Sequence, residues 1–253
     1  METAVVIVYG VSMNDTNPDR RAGIPAGLLA ALVVLGLTSA GILARYQVHG
    51  DVNAIHCLFS LFFSLNLLIC YWEAGLFLRR DYIEKRVLYW HKRRRETGRA
   101  PAREFLFTRV PLGRILSPTV WADVWATYSM IDPAYADRRS FGFTADIGNG
   151  FLTPVPTLIL YAAYTLGSVP AVVAGIVGAM LFWQWVYVTS LYWVSFIVAH
   201  RQAQITRGEL FIYIAVPNAV WVLIPAFGLY VSLRLILEGN YGVLGLVGMI
   251  ATP

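Results

Sequence analysis

The sequence predicts an all-α, polytopic membrane protein: a bundle of five transmembrane helices with a basic cytoplasmic loop between helices two and three. Of its 253 residues, 57% are hydrophobic and only 14% are charged. The mean hydropathy of +0.58 is too high for an ordinary soluble domain. In addition, five apolar segments approach or exceed the roughly 20 residues that a helix needs to cross a bilayer. These observations favour one compact membrane domain.

The predicted spans are residues 24–44, 54–78, 147–166, 170–198 and 210–236. Residues 1–23 are taken as an N-terminal cytoplasmic segment, and 24–237 as the membrane domain. The start of the chain is not typical of a secretory signal, because its charges follow the apolar run instead of preceding it. Residues 238–253 form an apolar, glycine-rich tail that is too short to be a sixth span, so we expect it to pack or to lie at the interface.

The positive charges predict the orientation. Residues 79–145 hold 14 of the 20 Lys and Arg residues, and further basic residues lie before the first span and after the fourth. The positive-inside rule therefore places residues 1–23, 79–145 and 199–209 in the cytoplasm, and 48–52 on the other side. The net charge of +5 is then explained by topology and by contact with anionic lipid headgroups, without nucleic acid as a partner. The membrane would be that of the endoplasmic reticulum in a eukaryote, or the cytoplasmic membrane in a bacterium.

Part of the basic segment is amphipathic. Residues 81–94 can be drawn as a helix in the membrane interface, with Tyr82, Val87, Tyr89 and Trp90 towards lipid. A solvated positive loop that only fixes orientation is the alternative.

One carboxylate, Glu73, falls inside the second span. A charged side chain near the centre of a membrane helix costs roughly 2.5 to 3.5 kcal/mol on insertion scales, so such a residue usually has a partner or a function. Glu73 precedes Arg79 by six residues, which places it about 9 Å from the end of the span. Asn66 lies two turns earlier on the same face of the helix.

Other polar residues are expected in the same half of the membrane. Asp146 precedes the third span, and Asn218 lies within the fifth together with Trp221. We also expect four further residues to contribute to ligand binding along with Asn66: Tyr128, Asp132, Gln184 and Tyr187. No spacing of His, Cys and acidic residues is typical of a metal site, and no Gly-rich loop or nucleophile elbow is present, so neither a metal nor a cofactor is expected.

Four stretches resemble the EXPERA superfamily, which includes emopamil-binding sterol Δ8–Δ7 isomerases and, more distantly, the sigma-2 receptor. The closest are HRQAQITRGELF (200–211) and NAVWVLIP (218–225); YWEAGLF (71–77) and WATYSMIDPAYADRRSFGFTAD (125–146) are weaker. The resemblance covers about residues 54–237. It implies a five-helix bundle around an acidic cavity for a sterol-like or isoprenoid lipid, with Glu73, Asp146, Asn218 and Trp221 as the catalytic residues.

The resemblance implies isomerisation of a double bond, or a cyclisation, through a carbocation. Glu73 would donate the proton, Trp221 would face the cation, Asp146 would act as base and Asn218 would orient an acid. Two positions depart from the isomerase pattern: Ile69 stands where the isomerases have His, and Asp146 replaces a Glu. A protein that binds a sterol, another lipid or a cationic amphiphile without turnover therefore remains the alternative. A transporter is the third hypothesis, because the sequence shows no repeated halves of the kind that support alternating access. An oligomer is possible.

Overall fold

The computed structural model describes residues 23–246, and these are almost entirely helical. In chain order the elements are β1 Ile24–Pro25, α1 Ala26–His49, α2 Ala54–Leu78, α3 Arg80–Thr97, α4 Pro101–Leu106, β2 Arg109–Val110, α5 Pro118–Tyr128, α6 Phe141–Leu152, α7 Pro154–Leu166, α8 Ala171–Val198 and α9 Arg207–Glu238. The predicted N-terminal segment up to residue 22 and the tail beyond residue 246 lie outside the described residues.

Within residues 23–246, four helices are long and apolar enough to cross a membrane: α1, α2, α8 and α9. They coincide, within a few residues at each end, with four of the five predicted spans. The prediction of an all-α, membrane-embedded protein is thus confirmed for the helical class and for these four helices.

The third predicted span, residues 147–166, is divided between two helices. Helix α6 ends at Leu152 and α7 begins at Pro154, with Thr153 between them. Proline has no N–H to continue the hydrogen-bond ladder of α6, but it is well tolerated in the first turn of a new helix. Asp146 therefore lies in the middle of α6, which corrects its expected place at the opening of a single long helix.

Helix α9 contains an irregular first section. Residues Leu210–Ala215 are π-helical and precede the α-helical part, Val216–Glu238. Pro217 cannot donate to the carbonyl of Tyr213 four residues earlier. The hydroxyl of Tyr128, from the end of α5, donates to this carbonyl at 3.2 Å.

The basic segment between α2 and α6 is folded and is not an open loop. Helix α3 packs against α5, and it buries Ile83 and Trp90 in doing so. Asp123 of α5 accepts from the Trp90 indole at 3.0 Å and from the Arg86 guanidinium at 2.7 Å. The predicted exposure of Trp90 to lipid is wrong, because the indole N–H has a buried carboxylate as its partner. Three other residues of that face also pack, partly buried, against this core: Tyr82, Val87 and Tyr89.

Two short strands fix this folded segment to the start of the first span. Ile24 pairs with Val110 in an antiparallel bridge, and the backbone N–H of Ala26 donates to the carbonyl of Thr108 at 2.9 Å. Gly23 lies so close to the bridge that an added Cβ would be 2.6 Å from the carbonyl oxygen of Val110. The beginning of α1 is thereby held next to residues 108–110.

The buried apolar residues form two cores. One joins the end of α2 to α3 and α5. The other lies among the first half of α2, α7, α8 and α9, and is centred on aromatic residues such as Phe59, Phe63 and Phe182. Tyr241 and Leu244 of the tail are buried in the second core, so residues 241–246 pack against the bundle.

Candidate functional site

The site is built around Glu73, whose side chain lies between α2 and α6. Glu73 is only 4% exposed, and its Oε2 accepts a hydrogen bond from Asn149 Nδ2 at 2.6 Å. The two helices meet closely here because residue 150 is glycine: an added Cβ would lie 2.7 Å from the Cβ of Glu73. The expectation that Glu73 has a partner inside the protein is therefore met by a residue that the sequence analysis did not single out.

The orientation of the Asn149 amide follows from its other contacts. Its Oδ1 accepts from Trp185 Nε1 at 2.9 Å and from Thr153 Oγ1 at 3.1 Å. An indole N–H can only donate, so the amide oxygen must face Trp185 and the amide nitrogen must face Glu73. If Glu73 is protonated, its Oε2 is then the carbonyl oxygen, and the proton is carried by Oε1.

This contact is one end of a polar seam between α2 and the α6–α7 pair. Five residues of α6–α7, spaced four apart and so on one face, form it: Asn149, Thr153, Thr157, Tyr161 and Thr165. Their partners on α2 are Glu73, Cys70, Asn66, Ser64 and His56. Hydrogen bonds between membrane helices stabilise packing by about 0.6 kcal/mol on average. The seam thus holds α7 against α2.

Asn66 belongs to this seam. Its Nδ2 donates to Thr157 Oγ1 at 2.9 Å, and the side chain is fully buried. The predicted ligand-binding residue therefore contacts a neighbouring helix in this structure, more than a turn away from the Glu73 carboxylate.

Asp146 lies on α6, near Glu73 of α2, and its side chain is half-buried. The charge of Asp146 acts on the Glu73 carboxyl, and the Tyr135 side chain interacts with Asp146. Burial raises the pKa of Tyr135 well above its ordinary value, and the charge of Asp146 adds to the effect. Tyr135 consequently remains a neutral hydrogen-bond donor at physiological pH.

The two acids have no cationic partner in the part of the chain that the structure describes. Every ion pair found there involves other carboxylates. Two neighbouring carboxyl groups without a cation favour retention of a proton by one of them, or the binding of a positively charged group between them. This arrangement is what a site for proton transfer or for a cation requires.

Asp132, in contrast, is fully paired. Both of its carboxylate oxygens lie 2.8 Å from Arg201 Nη1, and Tyr192 donates to it at 2.7 Å. Arg201 also donates to Ser195 Oγ at 2.9 Å. Asp132 thereby joins the segment before α6 to the end of α8, next to the site.

Tyr128, another predicted ligand residue, uses its hydroxyl for the contact with α9 described above, and burial raises its pKa.

Asn218 and Trp221 are not brought to Glu73. Asn218 Nδ2 donates to the Ile214 carbonyl of its own helix at 2.8 Å. The Trp221 ring lies 5.0 Å from that of Phe62 and 5.9 Å from that of Trp185, between ring centroids. Phe62 precedes Glu73 by eleven residues, or about 16 Å of helix. Trp221 is connected to Glu73 through Trp185, which contacts Asn149, the hydrogen-bond partner of Glu73.

Two further predicted residues, Gln184 and Tyr187, lie on α8. Gln184 is half-buried, whereas Tyr187 is 51% exposed and stacks on the exposed Trp183. Tyr187 is thus on the outer surface of the bundle and separate from the Glu73 site.

Three residues of the site were not predicted from the sequence, Asn149, Thr153 and Trp185, and Tyr135 was placed only at the approach to the third span. The four-residue spacing from Asn149 to Thr165 is a signal that could have found two of them. Trp185 and Tyr135 carry no such signal, because many Trp and Tyr residues of a membrane protein serve packing and interfaces.

Two cavities in the described part of the chain lie away from the site. One, of about 740 Å³, is lined by residues between Gly98 and Thr108, and the other, of about 110 Å³, lies near Arg94 and Tyr213. No cluster of three metal-ligating side chains occurs within residues 23–246.

Together, the apolar helices and the buried acids define a helical membrane protein with a carboxylate site between two of its helices. No protein-family model matches the sequence, and no similar curated protein or solved structure was found.

Proposed function

We propose that the protein crosses the membrane five times and binds a sterol-like or isoprenoid lipid at Glu73 and Asp146, where it moves a double bond through a carbocation. In this topology α6 and α7 cross the bilayer together, as one interrupted span. The proposal follows the resemblance to the EXPERA superfamily in residues 71–77, 125–146, 200–211 and 218–225.

The observation that carries the proposal is that a buried acid, Glu73, and a half-buried acid, Asp146, interact without a cationic partner among the described residues. Glu73 is 4% exposed and accepts from a fixed amide donor, and the charge of Asp146 acts on it. A neutral carboxylic acid next to a second carboxylate supplies both a proton donor and a base, which is the combination that a double-bond shift needs.

The chemistry balances with these two residues. Glu73 Oε1 gives its proton to one alkene carbon, whose π electrons form the new C–H bond and leave a carbocation at the other carbon. Asp146 then removes a proton from a carbon adjacent to the cation, and the electrons of that C–H bond form the new double bond. Passage of the proton from Asp146 back to Glu73 restores the starting state. Trp185 contacts the Asn149 amide that holds Glu73, so its ring, rather than that of Trp221, is proposed to stabilise the cation by a cation–π interaction.

A non-catalytic binder of cationic amphiphiles is the second candidate. The same observation favours it, because an amine could occupy the place between the two acids that no Lys, Arg or His takes among the described residues. The absence of His at position 69 points in the same direction, since it leaves the isomerase pattern incomplete.

One set of measurements separates the candidates. Full-length protein in lipid nanodiscs is assayed for conversion of a labelled Δ8-sterol, and for binding of a neutral sterol and of a cationic amphiphile. For the enzyme, Glu73→Gln should lower turnover by about 10²-fold to 10⁴-fold while neutral-sterol affinity stays the same. For the binder, the wild type shows no turnover, and Glu73→Gln weakens amine binding by about 2 to 5 kcal/mol.

Glu96→Gln is the matched control, because Glu96 is exposed at the end of α3 and, among residues 23–246, forms an ion pair only with Lys92. It should leave all three measurements unchanged. A wild-type protein that neither converts the sterol nor binds either probe would overturn both candidates.

A further inference from the structure

A row of apolar side chains is exposed beside the start of the first span. Residues 106–116 connect α4 to α5, and four of their large side chains are exposed: Leu106, Phe107, Leu112 and Leu116. Leu116 is 83% exposed and Phe107 is 69% exposed. We refer to residues 106–116 as the 106–116 ridge. Large apolar side chains that are this exposed mark a surface that contacts another protein or a membrane instead of water.

The ridge is attached to two spans at membrane depth. The Tyr71 hydroxyl of α2 donates to the Leu116 carbonyl at 2.8 Å. Tyr71 lies eight residues before Arg79, the first charged residue after α2, which corresponds to about 12 Å along the helix. At the other end, Thr108 accepts from Ala26, the first residue of α1. The most exposed leucine therefore lies beside the apolar part of α2, below the level of Arg79.

Much of the ridge's backbone between residues 111 and 117 has hydrogen-bond partners within the protein. Non-helical backbone is tolerated at membrane depth only when its polar groups have partners within the protein. Six consecutive or nearly consecutive carbonyls accept hydrogen bonds, those of Pro111, Leu112, Arg114, Ile115, Leu116 and Ser117. Backbone N–H groups of the adjoining turns donate to four of these carbonyls. Trp121 Nε1 donates to Ile115 and Tyr71 donates to Leu116, so side chains satisfy the two that the turns leave open.

Cations accompany the apolar groups. Arg109 and Arg114 are both exposed, and Arg114 forms no ion pair with any residue between 23 and 246. Arginine beside a membrane-inserted apolar group extends towards the interface, where lipid phosphates are its natural partners.

From these contacts we infer that the 106–116 ridge is inserted into the lipid leaflet in which α2 ends, with Leu112, Leu116 and Phe107 among the acyl chains and Arg114 at the phosphates. Its partner is the lipid surface itself. This inference does not depend on the chemistry at Glu73, so either can fail without the other. It also changes the expectation for residues 79–145, because the part of that segment in contact with lipid is the ridge and not the apolar face of α3.

Spin labels measure the depth directly. In full-length protein with Cys57→Ala and Cys70→Ala, a label is attached to Leu116→Cys or Phe107→Cys, and to Glu96→Cys as the exposed control. In nanodiscs of phosphatidylcholine and phosphatidylglycerol, the labels at 116 and 107 should collide several-fold more with oxygen than with a water-soluble nickel chelate, relative to the label at 96. Equal accessibility of 116 and 96 to the chelate would overturn the inference.

A second measurement avoids the cysteine replacements. A benzophenone amino acid placed at 116 in otherwise wild-type protein should form lipid adducts on illumination, detected as a mass increase of one phospholipid. The same amino acid at 96 should give few or none. Lipid adducts at 96 as frequent as at 116 would contradict insertion of the ridge.

Discussion

Asn149 donates its side-chain amide to Glu73 across the α2–α6 contact at 2.6 Å, and Trp185 on α8 fixes the direction of that amide. Three helices therefore meet at one hydrogen-bonded chain. The acid is held at a defined oxygen, Oε2. Both the proposed chemistry and part of the stability of the bundle depend on this pair.

Asn149→Ala should destabilise the protein more than Trp185→Phe. The alanine leaves Glu73 Oε2 and Trp185 Nε1 without their partner, and each buried group left unsatisfied costs about 1 to 3 kcal/mol. Trp185→Phe keeps a smaller aromatic ring and removes the N–H donor, while Thr153 still donates to Asn149. The free energies of unfolding of wild type and of each purified variant in detergent give both losses of stability. An Asn149→Ala variant as stable as wild type would show that the contact contributes nothing.

Gly150→Ala should separate α2 from α6. The added methyl group would lie 2.7 Å from the Cβ of Glu73 and 2.9 Å from the backbone nitrogen of Ala74. Overpacking of this kind costs about 1 to 3 kcal/mol. Gly148→Ala is the matched control, because an added Cβ there has nothing within 4 Å, and alanine is favoured over glycine in a helix by about 0.5 to 1 kcal/mol. The prediction fails if both variants have the same thermal stability.

Arg201→Met should cost about 3 to 5 kcal/mol, because it leaves Asp132 buried without its counter-ion. Arg201 and Asp132 are 8% and 0% exposed, respectively, in their side chains. Arg139→Met is the control: its pair with Asp137 is on the surface, where such contacts contribute about 0 to 1 kcal/mol. Thermal unfolding distinguishes the two. A loss for Arg201→Met no larger than that of the control would mean that this pair does not hold α8 in place.

Asp51→Asn should destabilise the loop between α1 and α2 in a pH-dependent way. Arg45 is completely buried and donates to both carboxylate oxygens of Asp51. Because Asp51 is 40% exposed, we expect a loss of about 2 to 3 kcal/mol, below that of a fully buried pair.

The direction of the pH effect follows from the pKa of Asp51. The hydrogen bond from Arg45 lowers the pKa of this carboxyl below 3.8. The stabilisation is therefore complete above the unfolded value and is lost as the pH falls through the lower, folded value. The stability difference between wild type and Asp51→Asn should be constant near neutral pH and decrease below pH 3.8. If the stability difference between wild type and Asp51→Asn stays the same even at a pH where Asp51 is fully protonated, the ion pair with Arg45 is not its cause.

Labelling of single cysteines tests the orientation. A cysteine at Glu96 should react with a membrane-impermeant reagent only from the cytoplasmic side, and one at Val52, which is 62% exposed, only from the other side. Reaction of position 96 from the non-cytoplasmic side would reverse the predicted topology.

The sequence was sufficient for those features that depend on local composition. The length and apolar character of α1, α2, α8 and α9 are properties of continuous segments, so hydropathy identified all four. The same pattern could not show that residues 147–166 are two helices, although Pro154 marks the break. It also assigned Trp90 to lipid, because an amphipathic helix has the same pattern whether its apolar face meets a bilayer or another helix.

The sequence by itself determined that this chain is an apolar helical membrane protein with an acid, Glu73, placed where an acid is costly. Only the tertiary structure decided what that acid contacts. Asn149 is 76 residues away and Trp185 a further 36, and their contact depends on how three helices pack. For the same reason Asp132, which the sequence offered as a ligand residue, is paired with Arg201, and Trp221 lies with Phe62. Composition decides which segments leave water; side-chain packing at close range decides which of the buried polar groups meet.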